Sequence, residues 1–281
     1  MTQRLVLLTG ATGFVGTQVL RALVAQGVQV RLVLRGAAPA EWMDSPSVES
    51  IVTTPDLFAQ SADWWAEVCA GVDTVVHVAW YAEPGVYLQS PKNLDCLTGT
   101  LALAQGASRA QVRRFCGVGT CFEYDLSAGV LALDTPLRPT TPYAGAKAAA
   151  FQALSNWLPL QQVEFVWCRL FYLFGEGEDA RRLVPYLRKT LAAGEPALLT
   201  SGRQIRDFLD VREAGHRVAQ AALGAVQGPV NIASGTPITV RQLAEQIAGE
   251  YGRRDLLRFG AREDNLVDPP CVVGIPSKVF L

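Results

Sequence analysis

Histidine, net charge and long apolar runs are the features that this chain of 281 residues lacks. Its two histidines, His77 and His216, offer little imidazole, and its six cysteines form no C-x-x-C pair, so the sequence predicts no metal site. The formal net charge of −1 gives no positive field for nucleic acid or for an anionic membrane. No apolar run approaches the ~20 residues that a membrane span needs.

The remaining composition is that of a globular α/β protein. Hydrophobic residues make up 49% of the chain, which is enough for one large domain with an appended lobe. The chain enters a predicted strand within a few residues of its start, so we expect no signal peptide and a cytoplasmic protein with reduced cysteines. Its last residues lie within an apparent element, which leads us to expect that a closing C-terminal helix is absent.

A buried strand that runs into a glycine-rich turn and a helix opens the chain. The run Leu5–Thr9 shows no polar alternation, as is typical of a parallel strand covered on both faces. Gly10, Gly13 and Gly16 provide a tight turn, a close approach for a pyrophosphate and close contact of helix on strand. The following helix, roughly residues 14–26, would direct its free N–H groups at the phosphates. The segment predicts a dinucleotide site, and a turn without a ligand is the alternative.

The end of the second predicted strand, residues 28–34, bears on the choice of dinucleotide. In NAD-binding proteins of this kind an acidic side chain holds the ribose hydroxyls here, whereas a cation favours a 2′-phosphate. The sequence has Leu34 and Arg35 at this place and no carboxylate. We therefore predict that NADP(H) is preferred, with Arg35 on the phosphate, and that NAD(H) is possible; Arg35 as a solvated loop charge is the alternative.

Strands and helices alternate along the first part of the chain, as the βαβ units of a parallel sheet require. This pattern predicts an α/β fold with a doubly wound parallel sheet, in which residues 1–174 form the dinucleotide-binding domain and residues 37–47 form a loop. The alternation loosens from residue 175, so residues 175–281 are predicted to form mainly a smaller substrate-binding lobe. Within them, residues 207–233 are predicted to return to the first domain.

Three polar residues are predicted to meet at the mouth of the crevice. Thr120 follows the fifth predicted strand, and the carboxyl ends of such strands hold the ligands. Tyr143 and Lys147 lie one turn apart on a helix that Thr141 and Pro142 begin. A ketone that accepts hydride needs an acid beside its oxygen, and positive charge from Lys147 would make the Tyr143 phenol a better one. Thr120 would stabilise the developing charge on that oxygen.

These residues carry a resemblance to a known family. The turn Thr-Gly-Ala-Thr-Gly-Phe-Val-Gly at 9–16, the pair Tyr143-x-x-x-Lys147 and the threonine at 120 resemble the extended short-chain dehydrogenase/reductase family, the NAD(P)-dependent nucleotide-sugar epimerases, dehydratases and reductases. Asp56-Leu57 resembles the pair that holds adenine. With Arg35, the expected cofactor-binding residues are Gly10, Thr12, Gly13, Phe14, Val15, Gly16, Arg35, Asp56, Leu57, Ala79, Tyr143 and Lys147.

The resemblance also implies a substrate and an assembly. It implies a Rossmann domain, a small C-terminal lobe that binds a nucleotide-diphosphate sugar, and a homodimer made by two helices of each subunit. Arg206 matches the family's arginine before its second lobe crossing, and both Arg206 and Arg262 are assigned to the substrate phosphates. The expected substrate-binding residues are Thr120, Cys121, Tyr172, Arg206 and Arg262, and the expected catalytic residues are Thr120, Tyr143 and Lys147.

Departures from the family pattern narrow the reaction. Dehydratases of the family follow the threonine with Asp and Glu, whereas this chain has Cys121 and Phe122, so dehydration is not expected. The family's asparagine in the long helix is replaced by Cys96, with Asn93 one turn earlier. We expect an NADPH-dependent reductase of a nucleotide-linked 4-keto-6-deoxyhexose in deoxysugar biosynthesis. The alternatives are a nucleotide-sugar 4-epimerase with bound NAD and a non-catalytic regulator that senses NADP.

Overall fold

A seven-stranded parallel sheet forms the centre of the computed structural model, which describes residues 4–265 and 268–280. The described strands, in chain order, are β1 (Leu5–Thr9), β2 (Gln29–Leu34), β3 (Val48–Thr53), β4 (Thr74–His77), β5 (Arg114–Thr120), β6 (Val130–Leu131), β7 (Glu164–Leu170), β8 (Tyr172–Phe174), β9 (Ala197–Leu198), β10 (Ile205–Asp210), β11 (Gly228–Ile232), β12 (Pro237–Thr239), β13 (Leu257–Arg258) and β14 (Cys271–Gly274). In space the large sheet runs β3-β2-β1-β4-β5-β7-β11. All its pairs are parallel.

Helices cover both faces of this sheet. The described α-helices are α1 (Phe14–Ala25), α2 (Ala40–Met43), α3 (Ala62–Val68), α4 (Lys92–Arg109), α5 (Pro142–Trp157), α6 (Leu183–Ala192), α7 (Val211–Leu223) and α8 (Val240–Glu250). One hydrophobic core lies between the sheet and α1 with α7, and a second lies between the sheet and α3, α4 and α5. The predicted α/β fold with a doubly wound parallel sheet is confirmed.

The order of the strands fixes where a crevice opens. The chain winds outward from β1 through β2 to β3 and then returns to place β4 on the other side of β1. Ligands of open parallel sheets bind at the carboxyl ends of the strands that flank such a reversal. The residues that follow Thr9 in β1 and His77 in β4 therefore border the expected crevice.

A smaller set of elements lies beyond the large sheet. β12, β10, β14 and β6 form a second sheet, and β8 pairs with β10. A separate hydrophobic core joins α6, α8 and the short strand β9. In the chain, α7 and β11 lie between β10 and β12. Helix α7 packs on α1, and β11 completes the edge of the large sheet. The division of the chain into domains stays a prediction.

Local sequence accounts for the best-defined helix boundary. Thr141 accepts a hydrogen bond from the backbone N–H of Ala144, and Pro142 is the first helical residue of α5, as predicted. The predicted loop at residues 37–47 is wrong in part, because four of its residues form the short helix α2 after Pro39. Across the described residues, no helix combines the length and the apolar character needed to cross a bilayer.

Candidate active site

The glycine turn between β1 and α1 has no room for a side chain at Gly10 or at Gly16. Gly10 has a φ of +78°, and a Cβ there would lie 2.6 Å from the backbone nitrogen of Ala79. A Cβ at Gly16 would lie 1.9 Å from the carbonyl oxygen of Gly10. Gly13 precedes the helix, no side chain caps it, and the first turn of α1 contains no acidic residue. This end of α1 is suited to an anion such as a pyrophosphate.

A buried histidine ties together the elements around this turn. Thr100 donates its hydroxyl hydrogen to the Cys96 carbonyl at 2.7 Å, so its oxygen accepts from Nε2 of His77 at 2.9 Å. The other ring nitrogen, Nδ1, therefore accepts from the Thr9 hydroxyl at 2.8 Å. Burial, reinforced by the charge of Lys147, lowers the pKa of His77 to about 3. His77 is therefore a neutral, hydrogen-bonded core residue.

The residues predicted for the adenosine end share one edge of the sheet. Leu34 pairs with Thr53, and the N–H of Thr54 donates to the Leu34 carbonyl at 2.9 Å, so the segments after β2 and β3 lie side by side. Arg35 is exposed at the end of β2. Asp56 accepts from the N–H of Phe58 at 2.9 Å, and the neighbouring Leu57 is buried.

The predicted catalytic residues come together at the carboxyl end of β5. The hydroxyl of Thr120 lies near enough to the phenol of Tyr143 to favour its ionised form. Lys147, one turn further along α5, is buried and donates to the carbonyl of Val118 at 2.5 Å. Residues from two distant parts of the chain therefore present a hydroxyl, a phenol and an amine to one small region.

Burial governs the electrostatics of this group. It raises the pKa of the Tyr143 phenol well above its ordinary range and lowers the pKa of the Lys147 ammonium to about 7. The pKa of Tyr143 was expected to be lowered by Lys147; in this arrangement it is raised, chiefly because the phenol has lost its surrounding water and secondly because Tyr87 lies beside it. Tyr143 is thus protonated at neutral pH and available as a proton donor.

Two aromatic rings that the sequence analysis missed enclose the pair. The indole of Trp80 lies over the Lys147 ammonium, 3.8 Å from nitrogen to ring centroid, and contacts Tyr143 edge to face at 6.4 Å between centroids. Tyr87 contacts the Tyr143 ring at 4.8 Å and an interplanar angle of 85°. Trp80 directly follows Ala79 beyond the end of β4, and that position alone could have indicated it.

The buried carboxylate of Glu123 holds the backbone of Thr120 in place. Glu123 accepts from the backbone N–H of Thr120 at 2.8 Å, from the indole N–H of Trp167 at 2.9 Å and from Nε of Arg169 at 2.8 Å. The ion pair is fully enclosed, so removal of either charge would leave the other one buried and unpaired. The spacing Thr120-x-x-Glu123 is that of a capping box, which was the available sequence signal.

The predicted substrate residues are only partly assembled. Cys121 is almost fully buried, and burial raises its pKa to about 12. The Tyr172 hydroxyl is buried and has no hydrogen-bond partner among residues 4–265 and 268–280, and the Arg206 guanidinium lies 5.1 Å from the centroid of the Tyr172 ring. Arg206 is itself buried and donates to Asp268 at 2.6 Å, so its charge is already compensated. Arg262 lies instead over the ring of Tyr186 on α6.

A cavity of about 300 Å³ opens beside the catalytic group. Its lining residues are Pro84, Gly85, Tyr87, Arg181 and Arg182. Arg181 is paired with Asp179 and Glu83, whereas the positive charge of Arg182 acts on the phenol of Tyr87. Tyr87 thus stands between this cavity and Tyr143. Arg181 and Arg182 directly precede α6, and this pair of arginines could have indicated a positively charged wall from the sequence.

Comparisons with known proteins agree with this geometry. The model of the NAD dependent epimerase/dehydratase family matches residues 6–238. Two similar curated proteins are named as dTDP-6-deoxy-L-talose 4-dehydrogenases. The one from Aggregatibacter actinomycetemcomitans, named with NAD(+), is 22% identical over 88% of this chain and 90% of its own length. The one from Kitasatospora kifunensis, named with NAD(P)(+), is 28% identical over 86% of this chain and 78% of its own length.

A solved structure shows the same fold. The dTDP-glucose 4,6-dehydratase DesIV from Streptomyces venezuelae, a double mutant with NAD and DAU bound, superposes with a TM-score of 0.81 over 98% of this chain and 89% of its own. Its sequence identity is 22%. Because the family model spans most of the sequence, the chain belongs to the NAD dependent epimerase/dehydratase family and is an enzyme of the oxidoreductase class.

Proposed function

We propose that the protein is an NADPH-dependent reductase that acts on a nucleotide-linked 4-keto-6-deoxyhexose. The observation that carries this proposal is the contact between the Tyr143 phenol and the Thr120 hydroxyl, with Lys147 one turn away. Two relatives support the substrate class, because their names describe a nucleotide-linked 6-deoxy sugar and dehydrogenation at position 4.

The residues of the chain fit a dinucleotide. A Cβ at Gly10 or Gly16 would overlap the backbone of Ala79 or of Gly10, so these glycines allow β1, α1 and the end of β4 to pack closely. The uncapped N–H groups at the start of α1 are then available to a pyrophosphate. The turn with Thr12, Phe14 and Val15 would hold the phosphates, and Leu57 and Ala79 would line the adenosine side. When bound, NADPH supplies the hydride that reduces the keto carbon.

Each residue of the catalytic group has a separate task in this reaction. Tyr143 transfers its phenolic proton to the oxygen of the ketone, which becomes the hydroxyl of the product. Thr120 donates a hydrogen bond to the same oxygen as negative charge develops there. Lys147 binds the nicotinamide ribose and, once protonated, stabilises the tyrosinate that remains. The ring of Trp80 and the burial of Thr120 and Lys147 limit the access of water to this group.

Several cations would meet the diphosphate of the substrate. Arg182 lines the cavity beside Tyr87, and Arg206 lies against Tyr172. Arg206 would exchange its bond to Asp268 for a phosphate oxygen. We place Cys121 at the edge of this site because it adjoins Thr120. Arg262, from the lobe of residues 175–281, is proposed as a further phosphate ligand.

We further propose a cytoplasmic homodimer. Leu94 is 63% exposed on α4, and α4 packs beside α5 on one face of the sheet, which leaves an apolar side chain available to a second copy. Light scattering coupled to size exclusion should give twice the mass of the chain. A monomer at micromolar concentration would contradict this part of the proposal.

The reaction is tested with purified enzyme, NADPH and a series of nucleotide-linked 4-keto-6-deoxyhexoses. Oxidation of NADPH, followed by its absorbance, should accompany formation of the 4-hydroxy sugar. Interconversion of nucleotide sugars with tightly retained NAD and no net redox change would instead establish the 4-epimerase. No cofactor uptake and no turnover with any nucleotide would reject both.

Tyr143→Phe is the decisive variant for this reaction. Loss of the proton donor should lower kcat about 10²- to 10⁴-fold, while the affinity for NADPH changes little. The variant Tyr251→Phe removes an exposed phenol at the end of α8 and serves as the control with full turnover. Retention of wild-type kcat by Tyr143→Phe would remove this phenol from the mechanism.

A further inference from the structure

One buried amide connects both aromatic rings that enclose the catalytic pair. Asn93 lies in the first turn of α4 and is fully buried. Its Nδ2 donates to the carbonyl of Tyr87 at 2.6 Å and to that of Ser90 at 2.9 Å. Its Oδ1 accepts from the indole N–H of Trp80 at 2.9 Å. The donors and the acceptor of this side chain are therefore all directed at the segment between β4 and α4.

One of these bonds ends at the indole of Trp80, and another ends at the backbone carbonyl of Tyr87, so they hold the two residues whose rings touch catalytic side chains. The Trp80 indole lies 3.8 Å from the Lys147 ammonium, and the Tyr87 ring lies 4.8 Å from that of Tyr143. Asn93 itself has no hydrogen bond to either catalytic residue among the described contacts. It can act on them only by holding the two rings.

We propose that Asn93 is a positioning residue of this site, which holds the Trp80 indole over Lys147 and the Tyr87 ring against Tyr143. The proposal rests on the proposed function for the roles of Lys147 and Tyr143. It deepens that function by assigning the wall of the site to a single side chain. An amide is required, because an aspartate could not donate to the two carbonyls and an aliphatic residue could not accept from the indole.

The Trp80 indole and the Val118 carbonyl are uncharged near neighbours that stabilise the charge of Lys147. The titratable groups that face Lys147 are Glu123 after β5, Cys96 on α4, His77 on β4 and Tyr143 on α5. Burial keeps His77 neutral and raises the pKa of the Cys96 and Tyr143 side chains, so near neutral pH the carboxylate of Glu123 is the remaining charge. A ring face over the ammonium favours the protonated amine.

A substrate-free experiment tests the proposal directly. In protein with ¹⁵N-labelled tryptophan, the indole signal of Trp80 is identified by its absence in Trp80→Phe. In the wild type this signal should be slow to exchange with solvent and should shift with pH around a midpoint near 7, and Lys147→Met should abolish the shift. Asn93→Leu should remove at least half of the pH-dependent shift and accelerate exchange at least tenfold.

Kinetics then separate positioning from simple stability. Asn93→Leu should lower kcat at least tenfold and move the pH-rate profile, with less than a threefold change in the Kd of NADPH. Asn156→Leu, an equivalent change at an exposed position of α5, should leave kcat and the profile unchanged. Because Asn93 and Trp80 act through one bond, the double variant Asn93→Leu, Trp80→Phe should lose less than the product of the two single losses.

The outcomes distinguish this proposal from the function on which it rests. If no ketosugar is reduced by the wild type, the proposed function fails, and the Trp80 titration still decides the role of Asn93. An unaltered Trp80 titration and pH-rate profile in folded Asn93→Leu would overturn the proposal. If that variant does not fold, Trp80→Phe replaces it, and an unshifted pH-rate profile in Trp80→Phe would overturn the proposal equally.

Discussion

At the scale of single residues, the site is a set of ionisable groups whose protonation states are set by burial. His77 is held neutral by low solvent access and by two hydroxyl partners. Lys147 titrates near neutral pH for the same reason, and Tyr143 keeps its proton. Glu123 and Arg169 form an enclosed ion pair, and each has a further hydrogen-bond partner, the Thr120 N–H for Glu123 and the Tyr124 hydroxyl for Arg169. Local partners, more than net charge, therefore decide which group can donate a proton.

Lys147 should make the stability of the protein depend on pH. Its pKa in the folded chain, about 7, lies below the ~10.4 of an unfolded chain, so between these values the unfolded chain binds one more proton. The free energy of unfolding consequently rises with pH in this window and falls as the pH drops towards 7. In Lys147→Met this contribution is absent, so the gap between the two proteins should change by about 1–2 kcal/mol from pH 7 to pH 9.

Urea denaturation at several pH values measures this effect. Lys189→Met, a change at an exposed position of α6, is the matched control and should follow the wild-type pH dependence. Parallel curves for Lys147→Met and the wild type would show that the amine is not desolvated as described.

Arg35 provides the test of cofactor choice. If its guanidinium pairs with a 2′-phosphate, Arg35→Ala should lower the ratio of kcat/KM for NADPH over NADH about tenfold, because one charge-assisted hydrogen bond is lost. Arg109→Ala, at the far end of α4, should leave the ratio unchanged. If Arg35→Ala leaves this ratio unchanged, Arg35 is a solvated loop charge that does not bind the cofactor.

At the scale of elements, the site depends on how closely the first turn approaches the neighbouring strand. Glycine is required at Gly16 because a Cβ would overlap the carbonyl of Gly10. Gly145 on α5 is different, since a Cβ there meets nothing within 4 Å. Replacement of glycine by alanine is therefore expected to change the free energy of unfolding in opposite directions at the two positions.

Gly16→Ala should displace α1 from β1, reduce the free energy of unfolding by about 1–3 kcal/mol and abolish measurable NADPH binding. Gly145→Ala should instead increase the free energy of unfolding by up to ~1 kcal/mol, because alanine favours the helix. Thermal unfolding and calorimetric titration with NADPH measure both quantities. Retained NADPH affinity in Gly16→Ala would place the dinucleotide elsewhere.

Sequence patterns predicted those features of the elements that depend on nearby residues. The glycine spacing, the N-cap at Thr141 and the separation of Tyr143 from Lys147 are local, and the structure reproduces their geometry. The wall of the site depends on contacts between residues far apart in the chain, such as Trp80 with Lys147 and Tyr87 with Arg182. No periodicity encodes such contacts.

Contacts between distant residues also explain why the sequence did not predict the arrangement of the substrate-binding residues. The sequence identified Arg206 by its place in a motif, but its partner Asp268 lies 62 residues further along. Pairing between strands brings these side chains together, since β10 and β14 are neighbours in the second sheet. The charge available to a phosphate could therefore not be predicted from the arginine alone.

At the scale of the whole molecule, the large sheet needs residues from late in the chain. Strand β11 pairs with β7 and covers its edge. Helix α7, which precedes β11 in the chain, packs on α1. Arg114, buried in β5, donates to the carbonyls of Ala221 and Val226 and so fastens this late segment to the sheet centre.

A fragment of residues 1–174 should therefore not form a stable domain. It would expose the edge of β7 and the apolar face of α1 that α7 covers, both of which favour aggregation. Gel filtration and proton NMR should show aggregated or poorly dispersed material, while a fragment of residues 1–233 should be more ordered. A cooperative, monomeric fragment 1–174 would show that β11 and α7 are dispensable.

The late arrival of β11 also has a consequence for synthesis in the cell. Strand β7 leaves the ribosome more than fifty residues before its final neighbour, and parallel pairing of this kind is slow because a long loop must close first. During that interval the nascent polypeptide carries an open strand edge that invites wrong partners. The yield of active protein should thus be limited by how well this half-built sheet is shielded until residue 232 has been translated.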